Sequence, residues 1–243
     1  MIKQTIHQRP DLLVEAEWLT HYMDDTELRI VDMGPIDGYK RGHIPGAIGL
    51  NRNYFKNPDN KAVVMTPDQF ADAVGRVGIG NDTNVVAYDD WGGLYATRLW
   101  WLLRLHGHQK VWVLNGGWNK WVNEGREIVP ASIDTYHSSE SITHHHPTSF
   151  RSALEPSYNC SLKRLSDSLG KPGFVSLDVR TGDEYTGSQS RGNKRVGHIP
   201  GSVHIEWTKT VTNDKLRTFL SPDALRDLFE AEGITPEKEI VTY

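Results

Sequence analysis

An arginine at the end of a predicted buried strand is the residue of this sequence best suited to bind a substrate. Arg180 ends the segment FVSLDVR (174–180), whose apolar and β-branched residues are typical of a strand buried in a sheet. A guanidinium at the carboxyl end of such a strand suits an anionic substrate, because its fixed fork of N–H donors matches anionic groups. The alternative is a surface arginine that pairs with Asp183 or Glu184, and the residues alone do not decide between the two.

Cys160 is the only cysteine in the chain and therefore the only thiol nucleophile to consider. It directly precedes a predicted helix, SLKRLSDSL (161–169), and the N-terminus of a helix can lower the pKa of a thiol. However, no motif pairs this cysteine with a histidine or a lysine. We therefore interpret Cys160 as an incidental, partly buried cysteine rather than as a nucleophile.

Two adjacent acids follow a second predicted buried strand, NVVAY (84–88). Asp89 and Asp90 lie at the kind of strand end where α/β proteins bind ligands, and paired acids there could hold a metal ion or serve phosphoryl transfer. We favour an acidic helix cap that faces solvent, because no second acid-rich motif supports a metal. Three adjacent histidines (144–146) are assigned to a solvated linker, because consecutive side chains cannot easily converge on one ion.

An internal repeat relates the elements that position these residues. RGHIPGAIGLN recurs as VGHIPGSVHIE, and the spacing of 155 residues between His43 and His198 also relates Tyr88 to Tyr243. A repeat of this length that occurs only twice indicates a duplicated domain, because solenoid units are shorter and form arrays. The second copy carries an extra polar segment, GSQSRGNKR (187–195), which is predicted to form a loop.

The duplication and the alternation of strands with helices predict the fold class. We predict an α/β protein with two tandem domains, each a mostly parallel sheet flanked by helices. The first domain is predicted at 1–125, the linker at 126–152 and the second domain at 153–243. The strands predicted in the first domain are 28–32, 47–50, 84–88 and 111–114, and its helices are 14–22, one capped by Thr66 and closed by Gly78, 94–105 and 118–123.

The composition excludes several classes of protein. A net charge of −4 supplies no basic surface for nucleic acid or for an anionic membrane. No apolar run approaches the roughly 20 residues of a membrane span, and the N-terminal residues lack the apolar stretch of a signal peptide. A single cysteine fits a reducing compartment, so we expect a cytoplasmic protein without nucleic-acid or membrane partners.

Together the motifs resemble the two-domain rhodanese family, the thiosulfate and 3-mercaptopyruvate sulfurtransferases. They comprise D-x-R at Asp178 and Arg180, followed by E-Y at Glu184, G-H-I-P-G in both copies, and S/T-P-D at 66–68 and 221–223. The run VVAYDDWGGLYATRLWWLLRLHGH of the first copy is similar to the non-catalytic N-terminal domain of that family. The resemblance covers nearly the whole chain, in the domain order of the family.

The resemblance implies a reaction and a set of site residues. A sulfurtransferase of this family would move a sulfane sulfur from thiosulfate or 3-mercaptopyruvate to cyanide or a thiol through a cysteine persulfide, with no cofactor and no metal. The nucleophilic cysteine is expected directly after Tyr243, at the position that Asp89 holds in the first copy. Arg180 would bind the small anionic donor. The supporting positions are Asp178, Glu184 and His198.

The second copy is expected to be incomplete. The first copy continues from Asp89 to about Glu124 with a helix, a strand and another helix, whereas the second ends at Tyr243. We therefore expect a C-terminally truncated second domain with exposed apolar surface, inactive by itself and derived from an active longer protein. The alternatives are a non-catalytic binding or regulatory module with the rhodanese fold, and a phosphatase of the same architecture, which also uses a loop cysteine.

Overall fold

The computed structural model describes residues 12–131, 141–142 and 145–243. These residues fall into two compact units. The first unit extends to Tyr158 and includes Lys215–Thr218, and the second unit comprises Asn159–Asp214 and Phe219–Tyr243. Within the described ranges, no helix has both the length and the apolar character that crossing a membrane requires.

A parallel sheet with one antiparallel edge forms the centre of the first unit. Its strands are β1 (Leu13–Val14), β2 (Leu28–Asp32), β3 (Ala47–Leu50), β4 (Asn84–Tyr88), β5 (Val111–Leu114) and β6 (Ser141–Ile142). In the order β1-β5-β4-β2-β3-β6, all neighbours are parallel except β6, which runs antiparallel to β3. The bounds of β2 to β5 are those predicted from the sequence, because runs of apolar and β-branched residues are typical of strands buried on both faces.

Helices connect these strands. They are α1 (Ala16–Tyr22), α2 (Ile36–Arg41), α3 (Pro67–Arg76), α4 (Ala96–Leu105) and α5 (Gly117–Asn123). The predicted start of α3 is confirmed, because Thr66 and Gln69 each accept the backbone N–H of the other in a complete capping box. The sequence did not predict α2, because Gly38 in its middle is a poor helix former.

The core of the first unit fixes the strand ends at which Asp32 and Asp89 lie. Val86 and Tyr88, on one face of β4, pack with side chains of β2, α1, α2 and α5 in a single buried cluster. Because successive strand residues point to opposite faces, this packing also sets the direction of the side chains that follow the strand. The largest members of the cluster are the aromatic residues Tyr39, Tyr88, Trp112 and Trp121.

The connection predicted at 126–152 is exposed in part and anchored in part. Residues 146–149 are exposed, but Phe150 is buried and packs edge-on against Phe70. The backbone N–H of Ala153 donates to the carbonyl of His106 at 3.1 Å, which continues the attachment to the first unit. Phe150 therefore attaches the end of the predicted linker to the first unit, although the polar composition of the linker predicted that it would be solvated. Of the three adjacent histidines, His144 lies outside the described residues.

The second unit repeats part of this architecture. Its strands β7 (Phe174–Asp178), β8 (Val203–His204) and β9 (Glu239–Thr242) form a parallel sheet in the order β8-β7-β9. Its helices are α6 (Leu162–Ser168), α7 (Gly182–Thr186) and α8 (Pro222–Ala231). Val175, Leu177, Ile205 and Ile234 form its buried cluster. Ile240 of β9 is 43% exposed. The α/β class with parallel sheets flanked by helices is confirmed.

Candidate anion-binding site

The candidate site of the second unit lies where β7 and β9 end. Arg180, two residues after β7, turns back onto the fully buried carboxylate of Asp178. Its Nε lies 3.0 Å from Asp178 Oδ1 and its Nη2 lies 2.5 Å from Asp178 Oδ2, which is a forked ion pair. Nη2 also donates to the carbonyl of Gly197 at 2.9 Å. These contacts fix the guanidinium plane at the edge of the sheet.

The ion pair stabilises the charged forms of both Asp178 and Arg180. Burial opposes ionisation of Asp178, but the hydrogen bonds and the charge of Arg180 outweigh it and hold the pKa of the carboxyl below its usual value. The hydrogen bond to Asp178 raises the pKa of Arg180, so the guanidinium stays charged. The Arg180 side chain remains 26% exposed. Its Nη1 donates to no acceptor among the described residues, so it can still bind an anion.

The acids that the sequence offered as surface partners of Arg180 have other contacts. The Glu184 carboxylate accepts the hydroxyl of Thr181 at 3.0 Å and lies 3.1 Å from Nε of Arg191, in the loop predicted at 187–195. Glu184 thus holds the start of α7 and the loop after it. The acidic partner of Arg180 is therefore Asp178, and Glu184 pairs with Arg191.

Tyr243 is a component of the site that sequence reasoning missed. The Cζ atom of Arg180 lies 5.2 Å from the centre of the Tyr243 ring, within the range of a cation–π contact. The Tyr243 hydroxyl accepts the backbone N–H of Ile199 at 2.9 Å and donates to Ser202 Oγ at 3.1 Å. The recurrence of tyrosine at both repeat positions was the available signal, because Tyr88 makes the equivalent bond to Ile44 at 3.2 Å.

His198 supports the H-I-P-G turn rather than reaching the guanidinium of Arg180. Its ring stacks on Tyr185 with centroids 3.8 Å apart, and its Nδ1 lies 2.9 Å from the Tyr185 carbonyl. Tyr185 also stacks on His204, whose Nε2 lies 3.0 Å from the carbonyl of Arg180. In the first unit Tyr39 and His43 repeat the stack at the same 3.8 Å separation. The same tyrosine–histidine stack therefore supports the H-I-P-G turn in both copies.

The first copy has the same tyrosine–histidine stack but no arginine at the position of Arg180. Gly34 stands where Arg180 stands in the second copy, and its backbone N–H donates to Asp32 Oδ1 at 2.7 Å. Burial raises the pKa of Asp32 to about 7, and the charges of Asp90 and Asp89 add to the effect against the hydrogen bonds from Gly34 and Tyr88. The same strand-end acid is therefore a stable carboxylate in one copy and a group that titrates near neutrality in the other.

Asp89 occupies a cradle of backbone N–H groups. Its Oδ1 accepts the N–H groups of Trp91 at 2.8 Å and Gly93 at 2.9 Å, and its Oδ2 accepts those of Tyr95 at 2.7 Å and Ala96 at 2.9 Å. The predicted capping role is confirmed for Asp89, but the predicted exposure to solvent is wrong. Asp89 is only 1% exposed, because four donors satisfy its carboxylate inside the loop.

Among the described residues, Cys160 and the histidines form no second centre. The Cys160 thiol makes one contact, 3.5 Å from the carbonyl of the adjacent Ser161, and among the described residues no histidine or lysine pairs with it. In the part of the chain that the structure describes, no cluster of three or more His, Cys, Asp or Glu side chains is placed to hold a metal ion. The residues that the structure brings together are those around Arg180 and those around Asp89.

Comparison with known proteins identifies the family. The chain matches the rhodanese-like domain over residues 15–124 and 161–243. It is 33% identical over 246 residues to the sulfur carrier protein TtuD of Thermus thermophilus, covering 98% of this chain and 83% of that protein. It is 33% identical over 210 residues to the thiosulfate sulfurtransferase of Bos taurus, covering 84% of this chain and 67% of that protein.

A solved structure confirms the fold. The crystal structure of SseA from Escherichia coli, described as a 3-mercaptopyruvate sulfotransferase with a rhodanese fold, matches with a TM-score of 0.81 at 24% identity. The match covers 96% of this chain and 88% of SseA. The two regions matched by the rhodanese-like domain confirm the predicted duplication. The chain belongs to the rhodanese family.

Proposed function

We propose that the protein is a sulfurtransferase that carries a sulfane sulfur on a cysteine at the position after Tyr243. The observation that most supports this proposal is the loop around Asp89, in which four backbone N–H groups converge on one anionic side chain. Tyr243 directly follows β9 and is the repeat equivalent of Tyr88, which ends β4, so an equivalent loop would surround a thiolate or persulfide in the second copy. Such a preorganised cradle stabilises an anion without reorganisation.

Arg180 is proposed to bind the sulfur donor. Its guanidinium is held by Asp178 and stays charged, and its Nη1 remains available. These groups lie at the end of the sheet where the neighbouring strand β9 would lead into the proposed loop. Thiosulfate and 3-mercaptopyruvate both carry an anionic group that a guanidinium recognises. The names of the two relatives, a sulfur carrier protein and a thiosulfate sulfurtransferase, support sulfur transfer as the class of reaction.

The proposed reaction has two displacement steps. The cysteine thiolate attacks the outer sulfur of thiosulfate, a new S–S bond forms on the protein, and sulfite leaves with the electron pair of the old S–S bond. Cyanide or an acceptor thiolate then attacks the outer sulfur of the persulfide, and the cysteine thiolate leaves. The two steps balance without an external oxidant, a metal or a cofactor. Arg180 and the loop N–H groups stabilise the anions in both steps.

Thiosulfate:cyanide sulfur transfer by the full-length protein tests this proposal. Replacing Arg180 with Met should raise the KM for thiosulfate by about tenfold or more, because one charge-assisted contact contributes ~1.5–3 kcal/mol. Arg226→Met is the matched control, since Arg226 is an exposed arginine of α8 that pairs with Asp223. A chain that ends at Tyr243, whose one thiol is Cys160, should show no transfer.

Three results would contradict the proposal. No transfer by the full-length protein would favour a non-catalytic binding module. Equal KM values for wild type and Arg180→Met would remove Arg180 from the donor site. Loss of activity in Cys160→Ser, with folding retained, would make Cys160 the nucleophile, whereas we expect that variant to keep its activity.

A further inference from the structure

A cavity of about 220 Å³ opens in the first unit, at the carboxyl ends of β2 and β4. The chain leaves β2 toward β3 on one side and leaves β4 toward β5 on the other, so the cavity lies at the topological switch point of the sheet. Open α/β sheets bind ligands at such a crevice. The volume is below the roughly 300–1,000 Å³ of drug-sized sites, which fits a small metabolite.

Two acids that form no ion pair with any described residue, Asp32 and Asp90, line this cavity. Asp90 Oδ1 is buried and has no hydrogen-bond partner among the described residues. Asp32 is 7% exposed, and a Cβ placed on Gly34 would lie 2.8 Å from Asp32 Oδ1 and 3.6 Å from Asp90 Oδ1, so both oxygens border one small space. Burial raises the pKa of both carboxyls, and the negative charge of Asp89 adds to the effect. A positive group from outside would supply the missing partner.

The remaining lining gives the cavity shape and selectivity. A Cβ on Gly38 would meet no atom within 4 Å, so the missing side chain at this helical position helps to keep the space open. Trp118 is an aromatic lining residue of the cavity, and aromatic rings attract organic cations. Arg41 also lines it, is exposed, and has no ion-pair partner among the described residues. A cationic ligand would meet repulsion there unless it also carried an anionic group.

We propose that this cavity binds a small zwitterion of the amino-acid type, with its cationic head at Asp32 and Asp90 and its carboxylate at Arg41. A guanidinium head fits these acids well, because its planar fork of donors matches carboxylates and stacks on aromatic rings. All of its lining residues belong to the first unit, whereas the proposed nucleophile would follow Tyr243 in the second, so this site is proposed in addition to sulfur transfer. It makes the first unit a ligand-binding domain.

Isothermal titration calorimetry of the whole protein with L-arginine and agmatine tests the proposal. Wild type should bind arginine more tightly than agmatine, which has a guanidinium but no carboxylate. Gly38→Leu should weaken arginine binding by about tenfold or more, because the leucine fills the cavity. Gly182→Leu is the matched control, since Gly182 is another helical glycine whose Cβ would meet nothing within 4 Å. Arg41→Met should remove the preference for arginine over agmatine.

The variants separate loss of the site from loss of the fold. Gly38→Leu should unfold at or above the temperature of wild type, because leucine is a better helix former than glycine. Asp90→Asn, which keeps the shape of the cavity but removes a charge, should also weaken binding by about tenfold. The proposal is overturned if wild type binds neither probe at millimolar concentration, or if Gly38→Leu and Asp90→Asn both bind arginine as wild type does.

Discussion

Arg180 forms a forked ion pair with Asp178, two residues earlier, with Nε 3.0 Å from Oδ1 and Nη2 2.5 Å from Oδ2. The equivalent positions of the first copy are Gly34 and Asp32, which leave the acid without a guanidinium. The exchange of arginine for glycine between the two copies therefore gives the ends of β7 and β2 different properties. The second copy presents a fixed positive charge, and the first presents a buried acid beside a cavity.

The Asp178→Asn variant should be less stable than wild type, and the difference should depend on pH. Removing the charge leaves the guanidinium of Arg180 partly uncompensated, at a cost of about 1–3 kcal/mol in the free energy of unfolding. The folded-state pKa of Asp178 lies below its ordinary value, so this contribution is present above about pH 4 and declines as the pH falls through the folded-state pKa. Urea unfolding of wild type and variant across that range measures the difference.

Asp223→Asn is the control for this measurement. Asp223 pairs with Arg226 on the surface of α8 and is 91% exposed, so its loss should change the free energy of unfolding by less than about 0.5 kcal/mol. A cost of Asp178→Asn that is equally small at neutral pH would show that the ion pair does not hold the site together.

The Asp32→Asn variant should show the opposite dependence on pH. The pKa of Asp32 is about 7 in the folded state and near 4 in the unfolded chain, so between these values the folded state holds a proton that the unfolded state has lost. The stability of wild type therefore falls as the pH rises from about 4 to about 7. Asparagine does not titrate and keeps an acceptor for the Gly34 N–H. The stability of the variant relative to wild type should therefore increase as the pH rises over this range.

Between pH 4 and pH 7 the free energy of unfolding of Asp32→Asn should rise relative to that of wild type by at most ~4 kcal/mol, since one pKa unit corresponds to about 1.4 kcal/mol. Denaturant unfolding at several pH values measures it, with the exposed Asp37→Asn as a control that should show no such trend. An advantage of Asp32→Asn that is constant with pH, or that grows toward acid, would contradict the raised pKa.

Gly49→Ala and Gly38→Ala form a matched pair that should change stability in opposite directions. A Cβ on Gly49 would lie 2.8 Å from Cγ of Tyr39, a buried ring that stacks on His43 and cannot shift without losing that contact. The cost should be about 1–3 kcal/mol. Gly38→Ala meets no neighbour and improves helix propensity by ~1 kcal/mol. Thermal unfolding measures both, and equal effects would contradict the packing described for Tyr39.

Local sequence patterns were sufficient to predict the four central strands of the first unit and the repeat, but not its edge strands β1 and β6. Val14, predicted to begin the helix 14–22, lies in β1 instead, and β6 falls in the segment predicted as a linker. The bounds of β2, β3, β4 and β5 followed from short apolar runs between turn residues, and Pro67 after a capping Thr66 marked the start of α3. The helices α2 and α7 were missed, because each is short and contains a glycine. In these two helices the packing of Tyr39 and Tyr185 outweighs weak local propensity.

The contacts of the site required the structure. Arg180 had acidic neighbours on both sides in sequence, and only the bend after β7 shows that Asp178 is its partner. The burial of Asp89 depends on four N–H groups that a later loop supplies, which no local pattern reveals. The cavity at Asp32 is likewise built from elements far apart in the chain.

The location of a protein-bound persulfide tests the account most directly. The full-length protein would be incubated with thiosulfate, alkylated and digested, and each cysteine peptide examined by mass spectrometry for one added sulfur atom. We predict the added sulfur on a cysteine at the position after Tyr243, with Cys160 unmodified. A persulfide on Cys160, or no added sulfur on any cysteine, would contradict the account.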